Sequence, residues 1–213
     1  MIENKILTQH VYERIRQMIA DGALAPGERI NRKELEETLG VSQTPINDAL
    51  SRLAGERFIE QESRRGYYVK RISAEEMIHL FEYRAATEGM AARLCAESAA
   101  KEDREGLRAY FDDFRLPIPE SSRPEYRQRD TAFHRRILEL SGNPMLAEMN
   151  EAHGYMMKSY QKGLLRDPNE TLQEHTDIVE AIVAGAPEEA QGAMNHHLLR
   201  TRDSLIREEK KSE

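Results

Sequence analysis

Residues 58–70 constrain the fold most, because they carry a strand pattern in a chain that otherwise reads as helix. FIEQ (58–61) and YYVK (67–70) are short apolar-rich runs on either side of ESRRG, the arrangement of a β-hairpin turning through a glycine-containing loop. Three helical patterns precede it. Leu7, Val11, Ile15, Met18 and Ile19 recur at helical spacing and stop at Asp21-Gly22. NRKE (31–34) is a capping box with Asn31 as N-cap and Glu34 at N3, and the helix it opens places Leu35 and Leu39 inside before Gly40 ends it. Thr44-Pro45 offers an N-cap followed by proline at the first helical position, with Ile46, Ala49, Leu50 and Leu53 as the next buried stripe. Three helices followed by a hairpin is the order of a winged helix-turn-helix. The alternative is a small helical subdomain with no nucleic-acid role.

From Ser73 onward the periodicity predicts about six helices, over 74–99, 102–115, 122–141, 144–165, 168–184 and 187–208. Their punctuation is local: RLPIPESSRP (115–124) is a loop, SGNP (141–144) combines a glycine stop with an Asn cap and Pro, DPNE (167–170) starts a helix on Asp167, and GAP (185–187) ends it. The expected fold is mainly α, a winged helix-turn-helix over 1–71 and an all-helical bundle over 72–213. Charge divides at the same place. Residues 1–71 carry 12 Lys+Arg against 11 Asp+Glu, and residues 72–213 carry 19 against 27, which points to two domains with different partners. No apolar run approaches the ~20 residues of a membrane span, and MIENKILTQH lacks the apolar core of a signal peptide. The single cysteine, Cys95, sits among alanines as a small core residue and has no partner for a disulfide, so the expected location is the cytoplasm.

Chemistry-bearing residues concentrate in the second domain. Asp130 and His134 stand four apart and share a helix face that Ile137 and Leu138 continue inward. His175 lies on the stripe Leu172, His175, Ile178, Val179, Ile182, and His197 on a stripe with Met194, Thr201 and Leu205. One carboxylate and three imidazoles facing the core from three helices suit a divalent transition metal; hydrogen-bonded core histidines are the other reading. His196 points about 100° away from His197. His153 sits inward with Met149, Met156, Met157 and Tyr160, where it either packs or lines a pocket. Arg84 interrupts the stripe Met77, Phe81, Ala91, Cys95. It makes either an i,i+4 ion pair with Glu88 or a bidentate fork with the carboxylate of a bound effector.

The segment LAPGERINRKELEETLGVSQTPINDALSRLAGERFIEQESRRGYYV, with its PG, LGVS turn, TP and wing glycine, resembles the N-terminal domain of GntR-family bacterial transcription regulators. FEYRAATEGMAARLCA (81–96), DTAFHRRILELSGNPML (130–146), EHTDIVEAIVAG (174–185) and MNHHL (194–198) resemble the helical effector domain of the FCD (FadR/VanR-like) subfamily, six helices favouring the shorter, VanR-like version. The resemblance implies that Asp130, His134, His175 and His197 bind a divalent metal, whether zinc, nickel, manganese or iron, and that His197 rather than His196 fits the M-x-x-H-L spacing. It implies an effector carboxylate for Arg84, with His153 in the same pocket. It also implies a homodimer on double-stranded operator DNA, acting as a repressor under control of a small carboxylate metabolite.

The reading head departs from the family. A recognition helix presents its N-terminal residues to base edges in the major groove, here Gln43, Thr44, Asn47 and then Asp48 and Arg52. The resemblance implies arginines at the positions of Gln43 and Asn47. Gln and Asn lack that charge but pair bidentately with adenine, and losing two cations weakens phosphate binding and its salt dependence. Arg32 and Lys33 at the start of the second helix, and Arg64, Arg65 and Gly66 at the wing, supply charge against the backbone and minor groove; a solvated hairpin tip is the plain alternative for the wing. A metal-dependent enzyme acting on a small acid, with Glu174 as base, is the runner-up, but nothing else supplies a catalytic constellation. A metal-sensing regulator is the third reading.

Overall fold

The computed structural model describes residues 2–63, 65–148, 150 and 166–212. They form two compact units that part between Ser73 and Ala74. The first holds α1 (Ile2–Ala20), α2 (Arg32–Leu39), α3 (Gln43–Gly55) and an antiparallel hairpin of β1 (Ile59–Glu62) and β2 (Gly66–Val69). Val11, Tyr12, Ile15 and Ile19 of α1 close on Ile46, Ala49, Leu50 and Leu53 of α3, with Leu35, Phe58, Ile59 and Val69 completing the core. Leu7, expected on the α1 stripe, lies one turn before this core begins and is exposed.

Local chemistry sets the helix ends. Asn31 Oδ1 accepts from the amides of Lys33 and Glu34 at 3.1 and 3.5 Å, and Gly40 closes α2 in the left-handed region at φ 65°. Asn31→Ala is expected to destabilise the first unit by about 1 kcal/mol, read as a lower urea midpoint with an unchanged m-value. A midpoint equal to wild type would show the cap to be idle. The N-cap of α3 is Ser42, not Thr44, so Gln43 and Thr44 are the first two helical residues and Pro45 is the third. Proline fits there because the first amides of a helix lack intrahelical acceptors. The hairpin pairs Ile59 with Val69 and Glu62 with Gly66, one residue further in on each strand than the expected runs. The backbone before α2 also joins β2: the Val69 amide donates to Glu28 O at 2.9 Å, and the Ile30 amide to Tyr67 O at 2.8 Å.

The second unit contains α4 (Ala74–Ser98), α5 (Lys101–Gly106), α6 (Arg123–Leu140), α7 (Pro168–Ala184) and α8 (Pro187–Ser212). Asp167 caps α7 through the Asn169 amide, and Gly185 ends it at φ 65°. Among the described residues, α4 and α8 form the most extensive helix pair. They approach closely at Gly89, where a Cβ would overlap Asn195 Oδ1. The helix expected over 102–115 is shorter: α5 ends at Gly106 and tightens into a 3-10 turn over Leu107–Tyr110. Glycine costs an α-helix about 1 kcal/mol, and the turn brings Leu107, Phe111 and Phe114 into the core. Of the helix expected over 144–165, residues 144–148 and 150 are helical and the rest lies outside the described residues. Among the described residues no helix is long and apolar enough to cross a membrane.

Candidate metal centre and DNA-reading face

Three helices deliver the histidines. α6 carries Asp130 and His134 one turn apart, α7 carries His175 and α8 carries His197, and one ring nitrogen from each of the three imidazoles lies within 4.8 Å of the others. All three histidines are buried, while His196 is exposed. Asp130 Oδ1 approaches His134 Nε2 at 3.2 Å and His175 Nε2 at 3.5 Å, which places the carboxylate beside two of the three rings.

The opposite edge of each ring is already occupied. His134 Nδ1 meets Glu88 Oε2 at 2.6 Å, His175 Nδ1 meets the Tyr126 hydroxyl at 2.8 Å, and His197 Nδ1 meets Glu174 Oε2 at 2.8 Å. Phe111 stacks on His175 with centroids 4.5 Å apart and planes 8° from parallel, and Phe133 meets it edge-on. His175 Nε2 is buried without a hydrogen bond. Leaving a buried polar nitrogen unsatisfied costs free energy, and a cation answers it. Partners fixed on Nδ1 of all three rings, with His175 Nε2 left unsatisfied, match what metal-binding imidazoles require. The donor set of three imidazoles and one carboxylate therefore fits a divalent transition metal.

Electrostatics agree with this fit. Burial works against charge on His134, yet the facing Glu88 and Asp130 carboxylates outweigh it and raise its pKa to about 9. Burial and the neighbouring His197 push His175 well below the ordinary histidine value, and burial also lowers His197. Asp130 is held well below the usual carboxylate range, since the imidazoles of His175 and His134 overcome its burial.

Arg84 pairs with Glu88, Nε to Oε1 at 2.6 Å, its side chain only 12% exposed and that of Glu88 fully buried. This is the i,i+4 pair that the spacing allowed, made inside the bundle rather than on its surface. It links Arg84 through Glu88 to His134. Sequence spacing gives Glu88 only to Arg84, Glu174 only to a catalytic base and Tyr126 no role, whereas the packed bundle sets all three against the histidine rings. The missed signal was a carboxylate on an apolar stripe: Glu88 lies among Phe81, Ala85, Ala92 and Cys95, and Glu174 between Thr171 and Ile178, all buried. Burial raises the Cys95 thiol to about 11, in keeping with an inert core residue. His153 lies outside the described residues.

In the first unit, Gln43 and Thr44 stand exposed on the first turn of α3, Asn47 is half-buried one turn on, and Asp48 is exposed. Arg32 Nη1 donates to Asn47 Oδ1 at 3.3 Å, so a guanidinium from α2 rests beside the residue that stands at a departing position. Lys33 is exposed next to it. Arg52 is engaged internally: it pairs with Glu56 at 2.9 Å, donates to Gln9 at 2.7 Å and covers the Tyr12 ring at 3.9 Å. Arg65 is exposed beside Glu62 at 3.5 Å, Gly66 takes φ 114° at the start of β2, and Arg64 lies outside the described residues.

Comparison with known proteins places both units. The profile described as "Bacterial regulatory proteins, gntR family" matches residues 7–69, and that of the FCD domain matches residues 79–200. The probable D-xylose utilization operon transcriptional repressor of Paenarthrobacter nicotinovorans is 29% identical over 182 residues, 84% of this chain and 80% of the relative. The Nta operon transcriptional regulator of Aminobacter aminovorans is 38% identical over 124 residues, 57% of each chain. In fold, the chain is similar to McbR/YncC of E. coli, with a TM-score of 0.73 at 21% identity, covering 95% of this chain and 98% of that one. A winged helix-turn-helix and an FCD-type helical domain on one chain make this protein a member of the GntR family of bacterial regulatory proteins, a DNA-binding transcription regulator and not an enzyme.

Proposed function

We propose that this regulator is a homodimeric cytoplasmic repressor whose hold on operator DNA is set by a small carboxylate bound at a divalent metal in the helical domain. The supporting observation is the convergence of three buried imidazoles whose outer nitrogens are all engaged, with His175 Nε2 left unsatisfied at their centre. Asp130, His134, His175 and His197 hold the metal, and a bound divalent cation supplies open coordination positions for carboxylate oxygens. Arg84 presents a guanidinium on α4 whose present partner is a carboxylate, Glu88, so an effector carboxylate meets the same chemistry. Residues 72–213 form the effector and dimer domain. Residues 1–71 read DNA through Gln43, Thr44 and Asn47 in the major groove, with Arg32 and Lys33 on the backbone and the Arg64–Gly66 wing at the minor groove.

The test is to select operator DNA from genomic fragments with the purified protein, then titrate small carboxylic acids while following release by fluorescence anisotropy. Metal-loaded wild type releases DNA with at least one acid, chelated protein does not respond, and Arg84→Ala keeps its metal but loses the response. Release by metal alone would make the protein a metal sensor. An operator complex that sediments with a single protomer would remove the dimer.

A further inference from the structure

Glu174 has no place among the metal ligands, yet its surroundings are costly for a carboxylate. It precedes His175 on α7, and its side chain, 8% exposed, turns toward α8. Arg166, the residue just before the cap of α7, donates Nη1 to Oε2 at 2.7 Å and Nη2 to Oε1 at 2.8 Å. Arg200 on α8 donates to Oε1 at 2.5 Å, and His197 Nδ1 lies 2.8 Å from Oε2. Both carboxylate oxygens are therefore spoken for twice. The Arg166 side chain is itself only 4% exposed. A buried ion cluster is weak as a source of stability, because desolvation offsets much of its attraction. It is strong as a fixture: a bidentate guanidinium fork sets a carboxylate plane, and a fixed acceptor at Nδ1 sets both the tautomer and the rotation of an imidazole.

We propose that Glu174, clamped between Arg166 and Arg200, is a positioning residue that keeps the proton of His197 on Nδ1 and aims Nε2 at the metal centre. The inference rests on the metal reading above. Glu88 stands in the same relation to His134, but its arginine, Arg84, is also assigned to the effector, so Glu174 gives the cleaner test.

Zinc affinity of the full-length protein is measured against a competing chelator, and cobalt(II) loading is followed by its visible absorption. Glu174→Ala lowers zinc affinity about 10–100-fold with the stoichiometry kept, and the cobalt bands shift. Glu174→Gln retains an acceptor for Nδ1 and recovers part of the loss. If Glu174 is merely structural, the metal-free melting temperature falls while zinc affinity and cobalt bands stay at wild-type values, which overturns the proposal. Should Glu174→Ala fail to fold, Arg200→Met, at a half-exposed position, loosens the same clamp, and wild-type zinc affinity in that variant also overturns it. Failure of the underlying metal reading looks different: wild type itself takes up no zinc, or His197→Ala binds as tightly as wild type.

Discussion

Dialysed against metal-free buffer, the purified protein retains about one divalent ion per chain, the ratio a single cluster of imidazoles and carboxylate supports, and the His134→Ala/His175→Ala double variant retains none. The two substitutions remove ligands from different helices, α6 and α7, and leave Asp130 and His197, too few to hold an ion in a buried site. The effect on stability is also large. An ion that binds only the folded chain stabilises it by about 4 kcal/mol when free metal exceeds Kd a thousandfold. In a chain of this size each kcal/mol moves Tm by about 2–4 °C, so chelating wild type lowers Tm by about 8–16 °C. The double variant melts at the same temperature with and without chelator. That comparison separates lost metal from any direct damage to packing around Phe111 and Phe133. Elemental analysis showing full metal content in the double variant would overturn the site.

Changing Gln43 and Asn47 together to arginine strengthens DNA binding and alters which sequence is preferred. Gln43 stands exposed on the first turn of α3, and Asn47, half-buried one turn on, holds Arg32 at 3.3 Å. On the proposed reading Asn47 both offers an amide to adenine and braces a guanidinium from α2. Each added phosphate contact steepens the salt dependence by about 0.9 in log–log slope, so two contacts add about 1.8. Base preference at the two positions moves from adenine toward guanine, with each bidentate contact discriminating by about 1–3 kcal/mol. Site selection on wild type and the double variant at two salt concentrations reads both effects. Identical preferred sequences from the two proteins would show that these residues do not specify the operator and that α2 and the wing read it.

The sequence by itself determined what depends on residues close together in the chain. Asn31, Gly40, Asp167 and Gly185 mark helix ends because a cap side chain or a left-handed glycine acts within a few residues. Asp130 and His134 share a face because four residues make about one helical turn. The inward placement of His175 and His197 followed from their apolar stripes. Even local reading had a limit at the start of α3: the N-cap position is Ser42, whose side chain makes no capping hydrogen bond, so no hydroxyl signal marks it, and Gln43 and Thr44 are already helical.

Tertiary structure alone decided who meets whom. His134 finds Glu88 from 46 residues away, His175 finds Tyr126 from 49, and His197 finds Glu174 from 23. Periodicity places a side chain on a face but does not say which helix covers that face, nor at what height. It left Arg84 open between two partners, and only the packed bundle put it on Glu88. The cost of burying charge supplies the reason: inside the bundle each carboxylate, guanidinium and imidazole must find a complement within hydrogen-bonding distance, and only the assembled helices determine which one is there.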